Sequence, residues 1–118
     1  MATTWMSREG KRILYTDFRD CDTEAEMEEV FEKAVQIVLA SPEPVLTMNN
    51  FAGVTVSGSF LRKLRVRGLD YQHNVRAKAV LGVTGIKKTL LNTYSVLTGI
   101  DARAFATEAE AIAYLVSK

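Results

Sequence analysis

Hydrophobic and polar positions form two patterns along this chain. Some segments are short β-like runs, and others are longer stretches with helical spacing. Runs rich in β-branched and aromatic side chains predict strands near residues 12–17, 45–49, 77–83 and 103–106. After each run, apolar residues recur every three or four positions, which predicts a helix behind every strand. A further β-like run at residues 3–6 predicts a possible antiparallel edge strand.

Capping residues mark where the predicted helices begin. Thr23 and Glu26 form a capping box, and the same Thr-Glu-Ala-Glu sequence recurs at residues 107–110. Ser57 and Thr84 are the expected N-caps of the two helices between them. Proline and glycine close the helices, at residues 42–44 and at Gly99.

Successive β–α units predict an α/β fold with four mainly parallel strands joined by right-handed crossovers. In the run at 45–49, the side that carries Thr47 and Asn49 is more polar than the side that carries Leu46 and Met48. A sheet covered by two full helix layers is more uniformly apolar than this. We therefore expect helices mainly on one face, with the other face partly open or used in self-association.

Length and composition indicate a single domain spanning residues 1–118. The apolar runs are too short for a membrane span, and the N-terminus lacks the pattern of a signal peptide. A lone cysteine, Cys21, cannot form an internal disulfide and fits a reducing compartment. We expect a cytoplasmic protein.

Charge is segregated along the chain. Residues 51–100 contain eight basic residues and one acid, whereas residues 1–50 contain ten acids and five basic residues. This asymmetry favours an electrostatically guided contact with an anionic ligand or a complementary protein surface. The acidic first helix could meet the basic region of a neighbouring copy or of another protein, so we expect a protein partner or a homodimer.

Two other partners fit the basic region less well. Nucleic acid is disfavoured because Arg62, Lys63 and Arg65 do not share one helix face, and aromatic residues for base stacking are sparse. A basic helix could also rest on a membrane surface. We expect instead that its leucines belong to the core: Leu61, Leu64 and Leu69.

Several stretches of sequence carry a resemblance to a known family: residues 45–48, 52–56, 79–88, 97–99 and 104–115. With the order of strands and helices, they resemble the small STAS-type domains of the anti-sigma-factor antagonists. The resemblance is most specific to an uncharacterised bacterial branch grouped with STAS and CRAL-TRIO lipid-carrier folds. It covers about residues 10–117 and implies a fold without a reaction.

The resemblance also implies a candidate for phosphorylation. Anti-sigma-factor antagonists carry a phosphorylatable serine at the start of the corresponding helix, within an Asp-Ser-Ser-Gly or Asp-Ser-Thr-Gly pattern. Ser57 is the nearest positional match, although the preceding acid is missing. The alternative is that Ser57 is a plain helix cap.

Residues 84–88 form the best candidate binding site that the sequence offers. Lys87 and Lys88 fall in the first turn of a predicted helix, where the macrodipole is positive and acids are preferred. Gly85 lets a ligand approach the free amides behind the Thr84 cap, which would suit a phosphate, a carboxylate or a lipid headgroup. The alternative is that both lysines are simply solvated.

Catalytic and metal chemistry find little support in the sequence. Aspartates at 17, 20 and 22 could bind a hard cation, but aspartate is common in turns before helices. His73 and Cys21 are expected at opposite ends of the sheet, which separates the one possible nucleophile–base pair. We expect no metal site and no cofactor.

The prediction is therefore a non-enzymatic STAS-like binding or regulatory domain. It would recognise a protein partner or a small anionic or lipid-like ligand. The alternative is a small enzyme that uses the carboxyl-end rim of the sheet with a bound anion.

Overall fold

The computed structural model describes residues 2–83 and 102–118. The helix predicted to begin at Thr84 lies outside these residues. The described elements, in chain order, are β1 (Thr3–Arg8), β2 (Lys11–Asp17), α1 (Glu24–Ala40), β3 (Val45–Asn50), α2 (Gly58–Tyr71), a 3₁₀ turn (Gln72–Asn74), β4 (Val75–Leu81), β5 (Ala102–Phe105) and α3 (Glu108–Val116).

The five strands form one sheet in the order β1-β2-β3-β4-β5. β1 and β2 are antiparallel, and all the other neighbouring strands are parallel. Glu9 and Gly10, with φ of 50° and 78°, form the two-residue turn of the β1–β2 hairpin. The predicted α/β fold and its antiparallel N-terminal edge strand are both confirmed.

Helices cover the sheet on both sides, and two of the three described helices lie on the same side. The cluster under α1 and α2 includes Leu14, Phe31, Val35, Phe60 and Val80. The cluster under α3 includes Ile13, Met48, Ala79, Ala111 and Leu115. α3 packs mainly against β4 and β5, so of the described helices two lie on one face of the sheet and one lies on the other.

The more polar side of the sheet is the side that α1 and α2 cover. Thr47 and Asn49 of β3 are buried, and so is Lys78 of β4, with 5% of its surface exposed. We expected polarity to mark an uncovered face, and the structure corrects that interpretation. The polar side chains lie beneath the helix layer, where the Lys78 Nζ donates to Tyr71 Oη of α2 at 2.8 Å.

A close approach of two backbones fixes the segment that leads into α2. Phe51 N–H donates to the Leu81 carbonyl at 2.8 Å, which joins the carboxyl ends of β3 and β4. Gly82, with φ of +84°, allows this contact, because a Cβ there would lie 2.4 Å from the Ala52 nitrogen. The loop after β3 is therefore held close to the sheet.

None of the helices within residues 2–83 and 102–118 is both long and apolar enough to cross a bilayer.

Candidate functional site

The sequence-predicted site residues fall into two groups in the structure. Thr84, Gly85, Lys87 and Lys88, the predicted anion site, lie outside the described residues, and that site stays a prediction. Ser57 is described and lies at the N-terminus of α2. The candidate site is therefore built from α2 and the helix beside it, α1.

Ser57 caps α2, as predicted. Its Oγ accepts a hydrogen bond from Phe60 N–H at 3.0 Å, which satisfies one of the free amides at the helix start. The same hydroxyl donates to the carboxylate of Glu24, in the first turn of α1. One exposed side chain thus ties together the starts of both helices.

An aromatic cluster beneath Ser57 sets the position of this helix start. Phe18 and Phe51, which follow β2 and β3, stack with their ring centroids 4.3 Å apart and an interplanar angle of 11°. Phe60, in the first turn of α2, meets both rings edge-on and has no exposed surface. Because Phe60 is anchored, Ser57 three residues earlier has a fixed place on the surface.

Ion pairs join α1 and α2 along their length. Lys63 of α2 donates to Glu28 of α1, and its Nζ lies 3.7 Å from a Glu24 carboxylate oxygen. One turn further on, Arg67 binds Glu32 with two nitrogens, at 2.7 and 3.1 Å. The paired partners raise the pKa of Lys63, and the hydrogen bond from Arg67 lowers the pKa of Glu32.

These contacts change how the segregated charge of the sequence is interpreted. The acids of α1 and the bases of α2, which are distant in the sequence, neutralise one another within the domain. Arg67 also binds Asp70 on its own helix at 2.8 Å. The acidic face of α1 therefore does not by itself call for a basic partner, and that argument for a homodimer loses its support.

A set of exposed side chains on α2 stays outside this network. Val66 is 60% exposed and Leu69 is 56% exposed, and they lie one turn apart on the helix. Arg62 and Arg65, beside them, form no ion pair with any described residue. We call these four residues, Arg62, Arg65, Val66 and Leu69, the α2 outer patch.

The α2 outer patch corrects one expectation about the leucines. Leu61 and Leu64 pack against the core, as expected, whereas Leu69 faces solvent. Helical periodicity could have predicted the exposure of Leu69. Leu69 lies three residues after Val66, and neither falls on the apolar stripe of Phe60, Leu61 and Leu64.

A buried polar cluster lies below the two helices. The Lys78 ammonium is under the rings of Phe31 and Tyr71, 5.8 and 5.2 Å from their centroids. Nearby, the buried hydroxyl of Thr47 has no hydrogen-bond partner among the described residues. The space between them has room for about one water molecule. Sequence reasoning missed this cluster, because a lysine in a strand is normally exposed.

At the carboxyl-end rim of the sheet, the described side chains near the end of β2 are Asp17, Arg19 and Cys21. Asp17 holds Arg19 with both carboxylate oxygens, at 3.0 and 2.9 Å, and this contact lowers the pKa of Asp17. Burial, with nearby acids such as Glu26, raises the pKa of the Cys21 thiol, which disfavours a reactive thiolate. The described residues contain no group of three potential metal ligands.

Comparison with known proteins supports the fold and goes no further. No family model matches the chain, and no curated protein matches it. A solved structure that it resembles is an uncharacterized protein of the DUF3478 family from Shewanella loihica PV-4, which has a SpoIIAA-like fold. The likeness covers 97% of this chain and 92% of that one, with a TM-score of 0.63 and 12% identity.

That neighbour decides the fold. The chain has a STAS-like fold. The predicted resemblance is thus confirmed at the level of architecture. At 12% identity the likeness shows the fold alone and assigns neither a partner nor a ligand.

Proposed function

We propose that this STAS-like domain is a non-enzymatic regulatory module, which binds an acidic surface of a partner protein through the α2 outer patch. The observation that supports this proposal most directly is the exposure of Val66 and Leu69 between two arginines that have no ion-pair partner among the described residues.

Burial of the patch would supply the affinity. When a partner covers two large apolar side chains on one helix face, binding gains roughly 25 cal/mol for each Å² of apolar surface removed from water. Single exposed apolar side chains are common on protein surfaces, but Val66 and Leu69 are neighbours on one face of the helix.

The arginines would supply the selectivity. Lys63 and Arg67 are engaged by the acids of α1, so Arg62 and Arg65 are the cations that α2 presents outwards. Arginine is enriched at protein interfaces because its flat guanidinium binds carboxylates in pairs of hydrogen bonds. An acidic partner surface with an apolar centre is the best match.

Ser57 offers a point of regulation on the same helix. A phosphate there would replace a hydroxyl that donates to the Glu24 carboxylate, and two negative groups would then face each other. The α1–α2 junction would be strained at the start of the helix that carries the patch. We therefore propose phosphorylation of Ser57 as the switch for partner binding.

The described residues of the rim add nothing to the enzyme alternative. The acid at the rim that is best placed, Asp17, is engaged by Arg19, and the pKa of the Cys21 thiol is raised.

The test compares patch variants with a matched variant elsewhere. Partners are captured from extracts of the native host with wild-type protein and with the Val66→Ser, Leu69→Ser double variant. Leu39→Ser is the control, since Leu39 of α1 is also an exposed apolar residue, at 38%, but lies outside the patch. The captured partner is then purified and its affinity is measured by calorimetry.

We expect the double variant, and Arg62→Glu with Arg65→Glu, to lose at least about tenfold in affinity, while Leu39→Ser binds like the wild type. Circular dichroism confirms that each variant is folded. Equal binding by all the variants would contradict the proposed function. A salt dependence that disappears in the arginine variant would support the acidic nature of the partner.

A further inference from the structure

The outer edge of β1 carries backbone groups that no other described strand pairs with. β1 is at the edge of the sheet, and among the described strands it pairs with β2 alone. Asp17 N–H donates to the Ala2 carbonyl at 2.8 Å, and the register continues from Thr3 opposite Thr16. In an antiparallel pair, residues alternate between those that bond to the neighbouring strand and those that do not.

This alternation fixes which groups face outwards. Ala2 is a bonded position, so Thr4, Met6 and Arg8 also direct their backbone groups towards β2. The N–H and C=O groups of the other three residues point away from the sheet: Thr3, Trp5 and Ser7. The Ser7 carbonyl accepts from the Arg8 side chain at 2.8 Å, which agrees with an outward direction.

β1 lacks the usual protection of an edge strand. Proteins block such edges with proline, bulges or charged side chains. Every residue of β1 is described, and the strand has no proline, an unbroken register and a single charge, at its last residue. At its centre is Trp5, which is 39% exposed and stacked against the Arg12 guanidinium at 4.1 Å.

We propose that two copies of the chain pair antiparallel through β1, around a two-fold axis at Trp5. The two five-stranded sheets would become one continuous sheet. The surface differs from the sheet face and from the charged helices that the sequence suggested for self-association. It is also separate from the α2 outer patch, so the two proposals can fail independently.

A second copy is the occupant because the free edge complements itself. In this register Trp5 lies opposite the partner's Trp5, and Thr3 lies opposite the partner's Ser7. All the outward residues are then paired, and each opposing pair exchanges two N–H···O=C hydrogen bonds. Arg8 lies opposite the partner's Ala2, so no like charges face each other within the paired strands.

The first experiment removes one outward hydrogen bond without touching the β1–β2 ladder. Ser7→Pro deletes an N–H that points away from β2, a position at which an edge strand tolerates proline. Ser7→Ala is the matched control, since it changes the side chain and keeps the N–H. Sedimentation velocity is measured from about 10 to 500 µM, the range in which a strand-only interface is expected to associate.

We expect wild type and Ser7→Ala to show a monomer–dimer equilibrium, and Ser7→Pro to stay monomeric with an unchanged circular dichroism spectrum. A wild-type protein that is monomeric over the whole range overturns the proposal. A dimer that persists in folded Ser7→Pro also overturns it, because the interface must then lie elsewhere.

The second experiment tests the register and does not depend on Ser7→Pro being folded. Single cysteines are introduced in a Cys21→Ala background. Trp5→Cys should form a disulfide-linked dimer on mild oxidation, since opposed residues of a bonded pair have Cα atoms about 5.5 Å apart.

A dimer of two Thr3→Cys chains, or of two Ser7→Cys chains, should not cross-link, because the two equivalent cysteines would lie roughly 14 Å apart along the strand. A mixture of those two variants should cross-link. Equal cross-linking of every variant, or none by Trp5→Cys, would refute the proposed axis.

Discussion

One hydroxyl, that of Ser57, meets both the amide end of α2 and a carboxylate of α1. Ser57→Ala removes the cap and should lower the free energy of unfolding by about 1 kcal/mol. Ser57→Asn is the matched variant, because its side chain can still accept from Phe60 N–H and donate to Glu24. Urea unfolding followed by circular dichroism measures both.

We expect Ser57→Asn to be within about 0.5 kcal/mol of the wild type. If Ser57→Ala were equally stable, the cap would be absent in solution. Ser57→Asp adds a second carboxylate beside Glu24, and weaker binding of the partner by this variant alone would support the proposed phosphorylation switch.

Residues whose role depends on near neighbours in the sequence were the ones that could be predicted. Thr23 and Thr107 cap their helices through amides three residues ahead, as their capping boxes indicate. Lys78 could not be placed in this way. Its burial depends on aromatic rings that α1 and α2 bring over the sheet, and no local pattern records which helix covers which strand.

At the scale of elements, α1 and α2 are joined by charge as well as by apolar contact. Arg67 and Glu32 meet although they are 35 residues apart, so composition revealed the opposite charges of the two halves but not their pairing. The expected intermolecular attraction proved to be an intramolecular one for these side chains. Local spacing predicts each helix, whereas packing alone decides which charges become neighbours.

The pH dependence of stability should reveal this pair. Arg67 lowers the pKa of Glu32 below its ordinary value of 4.5. A carboxylate with a lowered folded-state pKa contributes stability above its unfolded-state pKa and loses that contribution as the pH falls through the folded-state pKa. Arg67→Met should therefore cost about 0.5–1 kcal/mol at pH 7, allowing for the exposure of the pair.

The cost should shrink as the pH falls below 4.5. Arg65→Met is the control, because Arg65 forms no ion pair among the described residues. Urea unfolding at a series of pH values compares the two variants with the wild type. A cost for Arg67→Met that is constant from pH 7 to pH 3 would show that the ion pairs of Arg67 with Glu32 and Asp70 contribute nothing.

At the scale of the whole molecule, stability is expected to fall from the centre of the sheet towards β1. β3 is buried along its full length and pairs with a strand on each side, whereas β1 has β2 as its one neighbour among the strands that the structure describes. Amide hydrogen exchange should therefore be slowest in β3, where it requires global unfolding.

Within β1, exchange should alternate from residue to residue. At concentrations that keep the protein monomeric, the outward amides of Trp5 and Ser7 should exchange faster than those of Thr4 and Met6. Residue-resolved exchange measures the difference. Equal rates for neighbouring residues would mean that β1 detaches from the sheet as a unit.

The location of Trp5 also decides what an optical experiment on this protein reports. It is the one tryptophan in the chain, and it lies on the edge hairpin, stacked on Arg12. Intrinsic fluorescence will therefore follow fraying of the hairpin, while ellipticity follows the helices. If the fluorescence melting curve has a lower midpoint than the ellipticity curve, β1 has detached locally. Such a difference should not be taken for a folding intermediate of the core.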